Sequence, residues 1–433
     1  MSIRKLIKKA IPTAVFDYLE PYGHLGESVL VSTRHGHPAR SMRFIGVTGT
    51  NGKTTTTNMI FTMLREAGYN VALLSSTTYG FRDDLRQQVN HMTTDPAPVM
   101  QKKLRSFADA GAEWVVVEAS SHALAQYRVW GLPFEIAVMT NVTHEHLDYH
   151  KTFERYREAK RRLFRLAAKH GMKFGVVNAE DPAAELFATT TPHSASYGLM
   201  KGDVTAKDVV LGSDSCRFTA VAGKDIYDIT IRIPGEFNVQ NALAAVVVGR
   251  KLGLTKRQIE EGLAAFAGVE GRMMRVDEGQ RYMAMIDYAG TPDAFERAFK
   301  ALRPAVKGKL VVVFGSPAHR DKLKRPIQGE IAGHYADEVI LTEEDDRDEP
   351  GEEIMAQMAD GAEKVGKVKD KNLFLIGNRQ EAIEFAVSRV SGSDDMVVTL
   401  GKGHEKTIER ADGVYPWSEA EVLRTAIRKQ LKK

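Results

Sequence analysis

From Phe44 onward, short apolar runs alternate with charged stretches of helical period. "RFIGVTG", "NVALLSS", "EWVVVEAS", "EIAVMTN" and "KFGVVNA" have the length of strands and the continuous apolar character of strands buried on both faces. That alternation predicts a parallel, doubly wound sheet covered by helices. The texture changes between about residues 200 and 233, where "DVTAKDVVLGSDSCRFTAVAGKDIYDITIRI" reads as a small antiparallel insert. Two helices follow, in "PGEFNVQNALAAVVVGRKLG" and "TKRQIEEGLAAFAG". A second rhythm begins near Gly271 with "RYMAMIDYAG", "KLVVVFGS", "DEVILTEE", "NLFLIGN" and "DMVVTLGKG". The expected division is a short amino-terminal extension over 1–43, a central domain over 44–270 and a Rossmann-like α/β domain over 271–433. In the extension, Ile3, Leu6 and Ile7 have helical spacing before Pro12 interrupts it, and residues 25–43 read as a linker. The basic start is either a helix docked on the domain behind it or a contact for a membrane surface or a partner.

Composition narrows the class. The 60 Lys and Arg against 56 Asp and Glu leave a formal charge of only +4, too balanced for a dedicated nucleic-acid binder. One cysteine, Cys216, makes neither an internal disulfide nor a zinc cluster, which fits a reducing compartment. No run approaches the roughly 18 apolar residues of a membrane-spanning helix, and no signal-peptide apolar region opens the chain. A cytoplasmic protein acting on small anionic molecules is the expectation.

The chemistry concentrates first in "GVTGTNGKTTTTNM", residues 46–59. Gly46, Gly49 and Gly52 read as positions where backbone approaches phosphate oxygens, with Thr50 and Asn51 between them. Lys53 reaches outer phosphates, while Thr54, followed by Thr55, opens a helix where a magnesium ligand belongs. The glycines are offset from the usual Walker spacing, but Gly-Lys-Thr after an apolar strand still specifies a P-loop-type parallel sheet domain. Glu118, in "VVVEASSHALAQYR", falls at a strand's carboxyl end, where open α/β sheets meet ligands. His146, beside Glu145 in "TNVTHEHLDYH", ends the next strand. Alone, His144, His146 and His150 are ordinary surface histidines; after a strand and opposite Glu118, a metal-ligating role gains weight.

The order "TGTNGKTT", "TTDP", "EASSHAL", "HLDYH", "YREAKRRLF", "PGEFNVQNALAA", "DYAGTPDA", "KRP" and "GKGHE" resembles the Mur ligase superfamily, over roughly residues 44–433. Within it, the chain looks like the ligases that add the third peptide residue to UDP-N-acetylmuramoyl-L-alanyl-D-glutamate, a cell-wall precursor. The resemblance implies ATP-dependent carboxylate–amine ligation through an acyl phosphate, with magnesium offsetting charge on the transferring group. Carried over by position, Lys53, Glu118, His146 and Lys160 form the catalytic set, with Thr54, Glu118, His146 and a carbamylated Lys160 around magnesium. Lys160 lies fourteen residues after His146; from "AKRR" alone it would read as a solvated helix lysine. Asn178, Asp181, Asn238, Asn241, Arg272 and Asp287 resemble nucleotide contacts, although Asn238 and Asn241 also read as helix-cap residues. Thr93, Thr94, Ser120, Gln126 and Arg128 resemble contacts to the sugar-peptide acceptor.

Near the carboxyl end, "TEEDDRDEP" stands where diaminopimelate-adding relatives carry Asp-Asn-Pro-Arg. Arg347 falls on the arginine, whose planar guanidinium suits a distal carboxylate, while Gly401 and Glu405 match residues holding the amine substrate. Diaminopimelate is favoured; a more cationic amine, or a merely solvated acidic loop, are the alternatives. Three features depart from the family. Only residues 1–43 precede the phosphate strand, too few for the family's uridine-binding domain, so a different peptide or polyglutamate acceptor, or a partner supplying that domain, stays open. Gly290 replaces a motif histidine and "GSPAHRD" replaces a glycine-rich turn, which leaves a catalytically decayed nucleotide-binding homologue as the other alternative.

Overall fold

The computed structural model describes residues 13–88, 92–212 and 214–432. Ile3, Leu6, Ile7 and Pro12 of the amphipathic start lie outside the described residues. The chain divides into two compact units, one of residues up to 207 with 220–227 and 240–265, the other of 208–219, 228–239 and 266–433.

In the first unit the sheet strands are β1 (Arg43–Thr48), β2 (Val71–Leu74), β3 (Thr78–Phe81), β4 (Asp84–Gln87), β5 (Trp114–Glu118), β6 (Phe134–Met139), β7 (Phe174–Asn178) and β8 (His193–Gly198). Their spatial order is β8-β7-β6-β1-β5-β2-β3-β4. β1 lies between β5 and β6, parallel to both, with Val47 opposite Glu118 and Thr48 opposite Met139. All five apolar runs read from the sequence are strands of this sheet, and each alternates with a helix as parallel pairing requires. Beyond β8 the order continues through β9 (Val204–Leu211), β10 (Cys216–Ala222) and β11 (Asp225–Ile231). β9 pairs with β8 in parallel, and the two-residue connection 223–224 between β10 and β11 has the length of a hairpin turn, so the insert read at 200–233 is three strands added to the edge of the sheet; the division between the units falls within these strands.

The second unit has a six-stranded sheet in the order β12-β13-β17-β14-β15-β16, from β12 (Met274–Arg275), β13 (Met283–Asp287), β14 (Leu310–Phe314), β15 (Glu338–Leu341), β16 (Leu373–Leu375) and β17 (Met396–Leu400). Its inner strands β14, β15 and β17 are buried throughout. Apolar clusters on both faces, around Phe295, Phe299 and Met358 on one and Ile383, Leu423 and Ile427 on the other, close a three-layer α/β arrangement.

Two local readings change. Residues 25–34 are not linker but the end of a helix, Thr13–Arg34, that packs on helix Ala97–Asp109. Ser28 and Ser32, four residues apart, form its buried face; a packing stripe made of serines carries no hydrophobic period, and Gly23 and Gly26 imitate loop chemistry. Gly46 is a packing residue in mid-strand, not a phosphate contact: a Cβ there would stand 2.6 Å from Leu163 Cδ1 and 2.9 Å from Phe134 Cε1. Gly46→Ala should therefore lose about 1–3 kcal/mol by overpacking, and Leu163→Ala in the same chain should recover part of the overpacking loss. Urea denaturation of the single and double variants checks this; strictly additive losses would contradict it.

Candidate active site

β1 ends at Thr48 and the chain turns through Gly49, Thr50, Asn51 and Gly52 into helix Lys53–Glu66. Gly49 (φ +153°) and Gly52 (φ +82°) take backbone conformations that side chains resist, and a Cβ on Gly52 would stand 2.5 Å from Asn241 Oδ1. The end of β6 braces this turn. Thr50 N donates to the Asn141 carbonyl at 2.8 Å and Asn51 N to Asn141 Oδ1 at 2.9 Å. In return, Thr140 Oγ1 and Asn141 Nδ2 donate to the Asn51 carbonyl at 2.6 and 3.0 Å. The Thr50 hydroxyl also meets Tyr156 Oη at 2.9 Å and accepts from Thr143 N at 2.9 Å. Among the described residues no side chain caps the helix that follows, which leaves its positive dipole end suited to an anion. Lys53 Nζ folds onto the Thr50 carbonyl at 2.7 Å; Thr55 is buried beside it.

Glu118 closes β5 and is 2% exposed. Its Oε1 accepts from the Thr54 hydroxyl at 3.0 Å and its Oε2 from the Ser76 amide at 2.9 Å. Thr54 Oγ1 and Ser76 Oγ are themselves 3.0 Å apart. A buried carboxylate whose hydrogen-bond partners are neutral, flanked by hydroxyls, is an oxygen donor set that fits a hard divalent cation. Among the described residues no three His, Cys, Asp or Glu converge as a metal cage, so phosphate oxygens and water would complete such a shell.

Lys160, on helix Phe153–Ala167, is fully enclosed. Its Nζ donates to the Gly49 carbonyl and lies 4.4 Å from the centroid of the Tyr156 ring. Burial, reinforced by the charge of Lys53, holds its ammonium well below the usual lysine range, with Glu145 and Glu118 opposing. The solvated-helix reading of this lysine is thereby excluded. His146 takes a left-handed conformation (φ 56°) and stands edge-on to His122 with ring centroids 4.7 Å apart; its Nε2 is 3.6 Å from Glu145. His150 Nε2 meets Ser121 Oγ at 3.0 Å, and His144 stacks on Phe153.

A second cluster adjoins Glu118. Thr94 Oγ1 donates to the Glu118 carbonyl at 2.8 Å, meets Ser120 Oγ at 3.2 Å, and accepts from Ser120 N at 3.0 Å. Arg128 donates to the Thr94 carbonyl at 3.0 Å and through Nε to Gln126 Oε1 at 2.9 Å. Thr93, half-buried, precedes them. Thr94, Ser120, Gln126 and Arg128 are thus one constellation. Asn178 and Asp181 stand a layer behind: Asn178 Nδ2 donates to the Thr140 carbonyl at 2.9 Å and Asp181 Oδ2 accepts from Val142 N at 2.7 Å, so both hold the segment that braces the phosphate turn. Asn241 Oδ1 accepts from Thr56 Oγ1 at 3.1 Å. Ser76, Thr140, Asn141 and Tyr156 escaped the sequence reading; the polar pairs "SS" and "TN" at strand ends were the available signal.

In the second unit, Asn238 Nδ2 donates to the Pro234 carbonyl at 2.6 Å. The Arg272 guanidinium lies over the Tyr288 ring, 4.2 Å from its centroid. Asp287 accepts from Met273 N at 2.7 Å and Ala289 N at 2.8 Å; burial raises its pKa, and Arg272 partly opposes that. Tyr288 Oη donates to Glu405 at 3.0 Å. The Gly290 carbonyl accepts from Lys324 Nζ at 2.8 Å and Gln328 Nε2 at 3.1 Å.

The acidic run is not a solvated loop: Glu343, Glu344 and Asp345 are buried. Glu343 pairs with Arg410 at 2.7 Å, and Lys402 joins Asp345 at 2.8 Å to Glu405 at 2.5 Å. Arg347 Nε donates to Glu409 at 2.7 Å and its Nη1 to the Ala318 carbonyl at 3.1 Å. Glu344 lies against Gly401, whose Cβ would stand 2.5 Å from Glu344 Oε2. Burial pushes the Glu344 carboxyl up to about 7 and the Asp346 carboxyl up to about 6.

A glycine-turned phosphate loop at the carboxyl ends of a parallel sheet, with a buried carboxylate and a buried lysine at its base, defines an α/β enzyme that handles nucleotide phosphates. Two family models match, "Mur ligase middle domain" over residues 47–249 and "Mur ligase, glutamate ligase domain" over 271–403. The chain is 40% identical over 423 residues to the UDP-N-acetylmuramyl-tripeptide synthetase of Roseiflexus sp., covering 94% of this chain and 82% of that one. It is 35% identical to the UDP-N-acetylmuramoyl-L-alanyl-D-glutamate--2,6-diaminopimelate ligase of Syntrophomonas wolfei, with the same two coverages, 94% and 82%. A solved ligase of that description superposes with a TM-score of 0.63 at 32% identity, covering 90% of this chain and 79% of the other. The folylpolyglutamate synthase of Mycobacterium tuberculosis shares the fold, with a TM-score of 0.72 at 17% identity over 94% of each chain. The chain belongs to the Mur ligase family and is an ATP-dependent, amide-forming ligase.

The raised carboxyls set a pH dependence. Their folded pKa values exceed the unfolded ones, so the folded state keeps protons that the unfolded chain releases, and stability falls as pH rises through about 4 to 7. Glu344→Gln removes that ionisation. At pH 8 the variant should be more stable than wild type by up to about 3 kcal/mol, the gap narrowing toward pH 4.5. Urea titrations at both pH values test this; a pH-independent gap would refute it.

Proposed function

We propose that the chain joins a diamino acid, meso-diaminopimelate or a close relative, to the glutamate carboxylate of a UDP-N-acetylmuramoyl-L-alanyl-D-glutamate-type precursor. The observation that carries this reading is the adjacency, around the end of β5, of the Glu118–Thr54–Ser76 oxygen cluster and the Thr94–Ser120–Arg128 constellation. The phosphate turn and the polar constellation that suits a carboxylate-bearing acceptor are therefore tied to one strand end. Phosphorylating the acceptor's carboxylate supplies a leaving group that an amine displaces, with phosphate departing. On this reading the first-turn amides of helix Lys53–Glu66 and the Lys53 ammonium orient the nucleotide's phosphates, while Arg128 and the Thr94 and Ser120 hydroxyls hold the acceptor.

Magnesium, when bound, offsets charge on the transferring phosphoryl group, and Thr54 and Glu118 would hold it. An ammonium at Lys160 would oppose that cation. The depressed pKa favours the neutral amine, which is the form that adds carbon dioxide; the resulting carbamate carries the opposite sign. His146 stands in this account as a further ligand.

Release of ADP by the purified protein with magnesium, the UDP-linked dipeptide and diaminopimelate, L-lysine or no amine tests the reading. Turnover should require both acceptor and amine. Lys160→Ala should lower it by about a hundredfold or more, because a charge-stabilising group is lost, while nucleotide binding persists. 13C-bicarbonate should give a carbamate carbon signal in wild type that the variant lacks. ATP binding without acceptor-dependent ADP under any combination would refute the assignment and favour another acceptor or a decayed homologue.

A further inference from the structure

Lys103, on helix Ala97–Asp109, is a buried cation that the reading above does not use. Its Nζ donates to Gln88 Oε1 and to Asp95 Oδ2, each at 2.8 Å, and lies 3.5 Å from the centroid of the Tyr79 ring. Gln88 Nε2 donates to the other oxygen of Asp95 at 3.0 Å, which closes the circuit. Asp95 is 3% exposed and Gln88 8%. Burial lowers the lysine's pKa and Asp95 opposes the shift. Three side chains, from β3, from the residue just after β4 and from the loop before the helix, therefore meet at the ammonium that the helix supplies.

Stability alone does not account for such a set. Desolvating a charge pair costs several kcal/mol, and apolar residues of the same volume commonly serve stability as well or better. What the set does supply is a fixed geometry for Asp95, the residue next to Thr94. From the opposite side Thr94 is held by the Glu118 carbonyl, by Ser120 and by Arg128. The segment is thus clamped between Lys103 and the end of β5, and displacing Asp95 would displace the Thr94 hydroxyl and the carbonyl that Arg128 engages.

We propose that Lys103 is a positioning residue for the acceptor: by holding Asp95, it sets the Thr93–Thr94 segment, with Ser120 and Arg128, for the acceptor's carboxylate. This rests on the acceptor reading of those four residues. A shift of about an ångström in such a segment is enough to cost one to two orders of magnitude in rate.

The test compares wild type, Lys103→Met, and the double variant Lys103→Met with Asp95→Asn, which removes the stranded buried charge. The readouts are urea stability, KM for the UDP-linked dipeptide and for ATP, and hydrogen exchange of segments 93–97 and 49–55. Lys103→Met should raise the acceptor KM at least about tenfold with the ATP KM within about twofold, and should speed exchange in 93–97 but not in 49–55. The double variant should regain stability without regaining the acceptor KM. Unchanged exchange in 93–97 overturns the proposal, as does a parallel rise in both KM values or a double variant whose acceptor KM recovers with its stability. Thr94→Val separates this proposal from the reading beneath it. Faster exchange in Lys103→Met together with an unaltered acceptor KM in Thr94→Val supports the hold on the segment and sinks the acceptor assignment.

Discussion

The first unit depends on one constraint: the turn from β1 into helix Lys53–Glu66, built on two glycines, must keep one shape. Glycine permits the turn but does not hold it, since Gly49 and Gly52 have more conformations to lose than any other residue. The holding is done by Thr140 and Asn141, which engage both the donors and the acceptor of the Thr50–Asn51 segment. Those two residues are fixed in turn by Asn178 and Asp181 from the next strand. Rigidity therefore passes sideways through strand ends, from β7 to β6 to the turn after β1. That explains why polar side chains crowd the carboxyl edge of a sheet whose interior is otherwise aliphatic.

Charges buried along that edge follow the same logic. Glu118 is enclosed with a hydroxyl and an amide as hydrogen-bond partners, and Lys160 is enclosed against a carbonyl and an aromatic face. Neither arrangement is one that stability would select, because an ion taken from water needs a close counter-charge to recover its solvation. The second unit handles acidity in a contrasting way: Arg410, Lys402 and Arg347 tie Glu343, Asp345, Glu405 and Glu409 into a network, while desolvation pushes Glu344, Asp346 and Asp287 toward their neutral forms.

Much of this was legible in the chain. Apolar runs gave the buried parallel strands β1, β2, β5, β6 and β7 and β13 to β17, while the more polar β3, β4, β8 and β12 carry no such run. Residue types at strand ends pointed to Lys53, Thr54 and Glu118, and the order of motifs pointed to the family and, through it, to Thr94 and Arg128. What was not legible depended on partners distant in sequence. Gly46 looked like its neighbouring glycines until Leu163 and Phe134 came to rest on it. Ser28 and Ser32 carry no apolar period, so their helix passed for a linker. Lys103 and Lys160 sit on helices full of other lysines and arginines, and only burial separates them from the solvated ones.

The acidic stretch after β15 shows why that separation lies beyond pattern reading. "TEEDDRDEP" has the composition of an exposed loop, and its average character is indeed polar. Yet it follows the most buried strands of the second sheet, where the turn is forced inward and each carboxylate must find a cation or take up a proton. Arg410 and Lys402 come from segments more than 50 residues away, and each is recruited by the fold rather than by local spacing. Arg347 is the instructive member. Its guanidinium has two forked edges, and one nitrogen of each is already committed, Nε to Glu409 and Nη1 to the Ala318 carbonyl. A residue that matches a motif by position is thus constrained by neighbours the motif does not contain, so its role at this site is set by the network around it as much as by its identity.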